Sequence, residues 1–188
     1  MIKDKVKKFW KFLQEDTWQS WIVSLVLIVI LIKFIFFPTI SFITGSPLPL
    51  VVIESCSMYH NSNFESWWDT HSAIYSQYSI NKSEFQNYPF KNGLNKGDVI
   101  FVWGRADLKE GDVIIFEAGT QHPLIHRLIS TFPLSTKGDN NENQLDMEKF
   151  ISQEKIIGKG IARIPLVGWL KLIFFDMFKP ASQRGFCN

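Results

Sequence analysis

Lysine and arginine are missing from the whole stretch between Phe34 and Asn81, yet Lys3, Lys5, Lys7, Lys8 and Lys11 crowd the N-terminal "MIKDKVKKFWKFLQED". Positive charge is retained on the cytoplasmic side of a membrane, so this asymmetry predicts a cytoplasmic N-terminus, with everything after Phe37 outside or in a lumen. Cysteine is scarce too. Cys56 and Cys187 are the only two, too few for a disulfide framework, and they say little about redox compartment. Excess charge of either sign is also lacking: the net +2 is small and scattered, which argues against nucleic acid as a partner. Cys56, His60, His71 and His122 fit no usual zinc spacing, and no cofactor is expected.

Apolar residues, by contrast, are plentiful. They make up 46% of the 188 residues, with aromatics at 15%. One domain plus an appendage is the natural reading of that length. From Trp21 to Ile43 the run "WIVSLVLIVILIKFIFFPTISFI" carries a single charge, Lys33. A helix from Trp21 to Phe37 alone would measure roughly 25 Å, close to a hydrocarbon core. Lys33 lies near its far end, where its stem can snorkel to the headgroups, and Trp18 and Trp21 fall where an aromatic belt would lie. A buried helix in a soluble protein would show a polar face, and Trp21 to Ile32 offers only Ser24. The run is also longer than the apolar core of a cleaved signal peptide. An uncleaved, single-pass anchor over 18–43 is therefore expected, preceded by a cytoplasmic basic flank, 1–17.

The rest divides by composition. Pro38 and "GSPLPL" predict a stiff connector into the extended "VVIES". Residues 59–95 are polar but studded with Trp67, Trp68, Tyr75, Tyr78, Phe85, Tyr88 and Phe90, too aromatic for a disordered linker. They predict an ordered insertion, helical around "FESWWDTHSAIYSQY", that lies on the membrane or covers a cleft. "KGDVIFVW", "EGDVIIFEA", "PLIHRLIS" and "KIIGKGIARI" read as strands, and "TKGDNNEN" as a loop. At the C-terminus, Leu166, Trp169, Leu170, Ile173, Phe174 and Met177 recur at helical spacing, predicting an amphipathic segment that is interfacial or caps the core. The expected fold is thus a mostly-β extracytoplasmic domain, 44–168, with one N-terminal transmembrane helix and a C-terminal membrane-proximal segment, 169–188.

Chemistry concentrates at "ESCSMYH". Ser55 and Ser57 alternate on one face of an extended segment while Cys56 points the other way, which favours serine over thiol chemistry. A serine hydroxyl needs a base to take its proton, and His126 in "LIHRL" is the candidate. His60, three positions from Ser57 on the same short segment, would struggle to reach that hydroxyl.

Ser55-Cys56-Ser57-Met58, then His126-Arg127, then Lys137-Gly138-Asp139-Asn140-Asn141 with Asp146, taken in this order behind an anchor, resemble type I signal peptidase in its archaeal and endoplasmic-reticulum form. The likeness runs from the anchor to about Gly168. Cys56 stands where that family has glycine, and Tyr59-His60 replace its acidic residue and proline. The resemblance implies a signal-peptidase-like β fold and a serine endopeptidase that removes signal peptides from exported preproteins. Ser57 would be the nucleophile, His126 the general base, and Ser57 N–H with the Ser55 hydroxyl the oxyanion donors. An aspartate would orient His126: Asp146 is expected for this, with Asp139, whose loop composition favours an Asx-type turn bonding its own backbone, as the alternative. Signal peptides, membrane lipid and the secretory translocon are the implied partners, and a cell membrane, or the endoplasmic-reticulum membrane of a eukaryote, the implied location. The competing reading is a non-catalytic, membrane-anchored binding or scaffold protein of the same fold.

Overall fold

A computed structural model describes residues 2–187; Met1 and Asn188, the outer ends of the expected flank and C-terminal segment, lie outside the described residues. The chain forms two compact units, one ending at Ile43 and the second beginning at Thr44.

In the first unit, α1 (Ile2–Leu13) carries its lysines along an exposed surface with Ile2, Val6, Phe9 and Trp10. Thr17 then caps α2 (Trp18–Leu31) by accepting from the Ser20 N–H. Helix continues through a π-helical turn (Ile32–Phe36) into α3 (Phe37–Thr44). Pro38 has no N–H to offer the preceding turn, and a π-turn just before it is a usual accommodation. The continuous helix, Trp18–Thr44, has 27 residues, roughly 40 Å at 1.5 Å per residue, and is long and apolar enough to cross a membrane. Pro38 therefore sits inside the helix, and the connector expected from it starts only at Gly45.

The second unit is built on a six-stranded antiparallel sheet. Its strands are β1 (Leu50–Val52), β2 (Val99–Trp103), β3 (Val113–Phe116), β4 (Leu124–Thr131), β5 (Leu134–Lys137) and β6 (Ile156–Ile164), in the spatial order β1-β2-β6-β3-β4-β5. The expected strands all form. The additional one, β5, is the polar "LSTK", whose Thr136 and Lys137 are nevertheless fully buried. Alternation sets up the sheet's interior: Ile100 and Val102 of β2 are buried between half-exposed neighbours. Strand β3, covered on both sides, is buried throughout.

The insertion is ordered and has a core of its own. Asn63 caps α4 (Phe64–Ser76), and a capping box formed by Asn81 and Glu84 starts α5 (Lys82–Phe85). Phe64, Trp67, Trp68, Tyr75, Ile80 and Phe85 pack together and onto Ile129 of β4. Trp67, Tyr75 and Phe85 have no exposed surface, and each such burial stabilises by roughly 1.5–3 kcal/mol or more. The C-terminal helix α6 (Trp169–Asp176) buries Leu172 and Asp176. Its expected apolar stripe does not cap the core: Leu166, Leu170, Ile173, Phe174 and Met177 are all exposed.

Candidate active site

The segment after β1 is pinned by its apolar ends. Ile53 and Met58 enter one core cluster with Leu94, Ile100 and Val113, and the residues between them, Ser55 to Ser57, are held at the surface. A second clamp comes from the loop after β5. Asn140 N–H donates to the Ser57 carbonyl (2.8 Å), and the Asn140 side chain donates to the Cys56 carbonyl (3.1 Å). Gly138 makes this approach possible, because a Cβ there would lie 2.9 Å from the Ser57 carbonyl oxygen.

His126 reaches the same place from β4. Its Nε2 lies 2.9 Å from Ser57 Oγ, and Ser55 Oγ is 3.2 Å from Ser57 Oγ. The other ring nitrogen, Nδ1, meets Glu148 Oε1. Glu148 is fully buried. Its Oε1 also accepts from the Thr136 hydroxyl (3.2 Å), and its Oε2 from the Leu145 N–H (2.8 Å). A serine, a histidine and a carboxylate thus stand in one hydrogen-bonded line, the arrangement that lets imidazole take a proton from a hydroxyl while the acid fixes its tautomer.

Neither expected aspartate occupies that third position. Asp146 opens the short 3-10 turn Asp146–Glu148, with its side chain 96% exposed and bonded to Lys149 (2.7 Å). Asp139 is buried on a separate network. Arg127 grips it with Nε and Nη2 at 2.9 and 2.7 Å, Tyr75 donates to Oδ1 (2.8 Å), and His60 Nε2 lies 2.9 Å from Oδ2. Asp139 thus neither orients His126 nor bonds its own turn, since Arg127, Tyr75 and His60 take up its carboxylate. Asp146 is turned to solvent, and the expectation of either aspartate at His126 gives way to Glu148.

Successive residues of a strand face opposite ways, so His126 serves the serine while Arg127 serves the loop. All five guanidinium donors of buried Arg127 are used, three of them on the Pro89, Gly111 and Phe90 carbonyls. Burial pushes the Asp139 carboxyl up, but the Arg127 charge and the bonds from His60 and Arg127 more than offset it and hold it well below the usual carboxylate range. His60 is stacked on Trp67 with ring centroids 3.6 Å apart. Burial outweighs its bond to Asp139 and pulls its pKa down, so the neutral ring donates from Nε2. His60 is therefore occupied on the far side of the loop and is not a rival base.

This network tethers the insertion to the clamp on Ser57. Asp139→Asn is expected to lower stability by about 3 kcal/mol or more, since it leaves a buried guanidinium without its charge partner. Thermal melting followed by circular dichroism checks it; an unchanged melting temperature would contradict the network's role.

The two cysteines, too few for a framework, do form a bond. Cys56 and Cys187, 131 positions apart, are disulfide-linked with Cα atoms 5.6 Å apart. The thiol alternative to Ser57 disappears with it, because the Cys56 sulfur is not a free thiolate.

Relatives of this chain carry names that bear on the site. It is 30% identical over 98 residues to the signal peptidase complex catalytic subunit SEC11 of Colletotrichum graminicola, covering 44% of this chain and 57% of that one. The chain is similar to signal peptidase catalytic subunits. The likeness to the subunit of Verticillium alfalfae is 27% over 158 residues, 76% of this chain and 73% of the relative. To that of Sclerotinia sclerotiorum it is 32% over 98 residues, 44% and 57%. The match thus spans just over half the length of the Colletotrichum and Sclerotinia proteins. No family model matches the chain.

Proposed function

We propose that this chain is a membrane-anchored serine endopeptidase that removes signal peptides from secretory preproteins, with a signal-peptidase-like β fold. The observation that carries the reading is the line Ser57 Oγ, His126 Nε2, His126 Nδ1, Glu148 Oε1. A scaffold would have no need of these groups in register. The chain's similarity to signal peptidase complex catalytic subunits supports the same substrate class.

In this mechanism Ser57 attacks the carbonyl after the signal sequence as His126 takes its proton, and Glu148 stabilises the imidazolium. His126 then returns the proton to the leaving amine, and water clears the acyl-enzyme by the reverse path. The Ser57 N–H and the Ser55 hydroxyl meet the oxyanion. Strand β1 lies at the edge of the sheet, the position at which an extended peptide would add as a further strand. An extended peptide pairing there would run toward Ser57, and main-chain hydrogen bonds would hold it without demanding side chains.

The helix Trp18–Thr44 is the anchor in this reading, and the lysines of α1 keep the N-terminus cytoplasmic. The Cys56–Cys187 disulfide fits an oxidising compartment on the other side, the lumen of the secretory pathway or the cell exterior. The exposed stripe on α6, with Phe178 and Phe186 beyond it, would rest in the outer lipid interface. Further subunits of a signal peptidase complex, at the translocon, are the expected partners.

The test is cleavage of a preprotein by the purified chain in detergent, with N-terminal sequencing of the product. Cleavage is expected after a small-x-small site, since shallow pockets suffice to read it. Bulky residues at the first and third positions before the cut should abolish the product. Undiminished cleavage of the bulky substrate would overturn the specificity, and an intact preprotein would overturn the reading.

A further inference from the structure

The chain after α6 turns back toward the nucleophile as a strap. Its root is tied by Lys96, buried, which donates to Asp176 Oδ2 and the Gln183 carbonyl, each at 2.7 Å. Gly185 N–H donates to the same Asp176 oxygen (2.9 Å). Lys171 and Lys179 reach Glu54, at 2.8 and 3.5 Å. The strap then ends on Cys56, the residue between the two serines of the site.

That end is joined to Cys56 by the covalent bond. Arg184, Gly185 and Phe186 are exposed, and Cys187 is half-buried. A cavity of about 430 Å³ opens between the strap and Cys56. Separating the sulfurs would leave residues 184–187 the Gly185 N–H bond, the Arg184 Nε bond to the Lys179 carbonyl (2.6 Å) and the Phe186 ring against Trp169 (centroids 4.6 Å). These contacts hold the strap to α6 and its own turn but not to Cys56. On the other side of Cys56, its carbonyl is fixed by the Asn140 side chain and the Tyr59 N–H. The residue before the nucleophile is thus gripped on its carbonyl by the loop and on its side chain by the strap.

We propose that the Cys56–Cys187 disulfide makes the C-terminal strap a positioning element for Ser57, so that the site turns over at full rate only in the oxidised chain. This rests on the reading of Ser57 as nucleophile. Geometry gives the reason. A displacement of 1 Å at a reacting group can cost roughly 100-fold in rate. The Asn140 and Glu54 contacts survive reduction and limit the shift of Ser57 to a fraction of that, for a loss of about tenfold. The chemistry is ordinary exchange with a dithiol. A thiolate of the reductant attacks one sulfur, the Cys56–Cys187 bond breaks and a mixed disulfide forms. The reductant's second thiol then closes its own disulfide, leaving two protein thiols for the two it has consumed.

The experiment uses the full chain in detergent and a preprotein free of cysteine. Steady-state cleavage is measured before and after excess dithiothreitol, with free thiols counted by maleimide mass shift and folding followed by circular dichroism. The expected result is a tenfold fall in kcat with KM changed less than twofold, reversed by reoxidation. Cys56→Ser/Cys187→Ser should match the reduced protein and ignore the reductant. A lower melting temperature with unchanged kcat would make the bond merely structural and overturn the proposal. Equal kcat in an active chain before and after reduction would overturn it alone, whereas no cleavage by the oxidised chain would overturn the peptidase reading and this proposal together.

Discussion

Ser57→Ala is expected to abolish preprotein cleavage, by about 10⁴-fold or more in kcat, while leaving the fold intact. The size of the loss follows from how the groups act together. A neutral hydroxyl is a poor nucleophile near pH 7, and in the proposed mechanism the His126 Nε2 at 2.9 Å takes its proton at the moment of attack. Remove the hydroxyl, and His126 and Glu148 have nothing to act on; only substrate binding and the oxyanion donors remain. No neighbour can substitute. The sulfur of Cys56 is bonded to Cys187, and the Ser55 hydroxyl meets Ser57 Oγ at 3.2 Å, while His126 Nε2 is engaged by Ser57. The folded state should tolerate the change, because the Ser57 side chain is only half-buried and its segment is held by Ile53, Met58 and Asn140. Cleavage rates and a melting curve on the same preparation check both halves. A folded Ser57→Ala chain that still cleaves would remove Ser57 from the chemistry.

What could be read from sequence follows what is local. The apolar run, the Gly-Asp strand starts and the aromatic insertion depend on residues near one another in the chain, and each appears where its pattern predicts. Strand β5 escapes such a reading because "LSTK" has no apolar alternation; its Thr136 and Lys137 are buried for the partners they find, Glu148 and the loop carbonyls of Gly138 and Asn141. The disulfide escapes because no spacing rule joins cysteines 131 positions apart. In the site, Ser57 and His126 stand out by motif, whereas Glu148 does not. A search confined to aspartates passes over it, although it lies only two residues beyond Asp146. One signal was available: an acidic residue three places after Leu145, in position to cap the turn that starts there, as the Leu145 N–H bond to Glu148 shows.

That two-residue offset decides the last prediction. In a 3-10 turn each residue advances by about 120°, so positions two apart project in very different directions. With Glu148 turned inward to His126, Asp146 must point away, and its carboxylate is indeed in solvent against Lys149. Asp146→Asn should therefore change kcat less than twofold, because it removes only an exposed ion pair that solvent screens. Glu148→Gln should instead lower kcat by about 10⁴-fold. Its Oε2 equivalent must still accept from Leu145 N–H, so the amide nitrogen is left facing His126. An amide N–H there can only donate, which forces the imidazole proton onto Nε2. His126 would then present Ser57 with a donor where it needs an acceptor, and no base would remain. Glu148→Asp keeps the charge but shortens the reach, and should recover part of the rate, which a merely structural carboxylate would not do. Activity and melting of the three variants separate the outcomes: a folded Glu148→Gln chain with full turnover would strip Glu148 of its role, and a collapse in Asp146→Asn would restore the aspartate to His126.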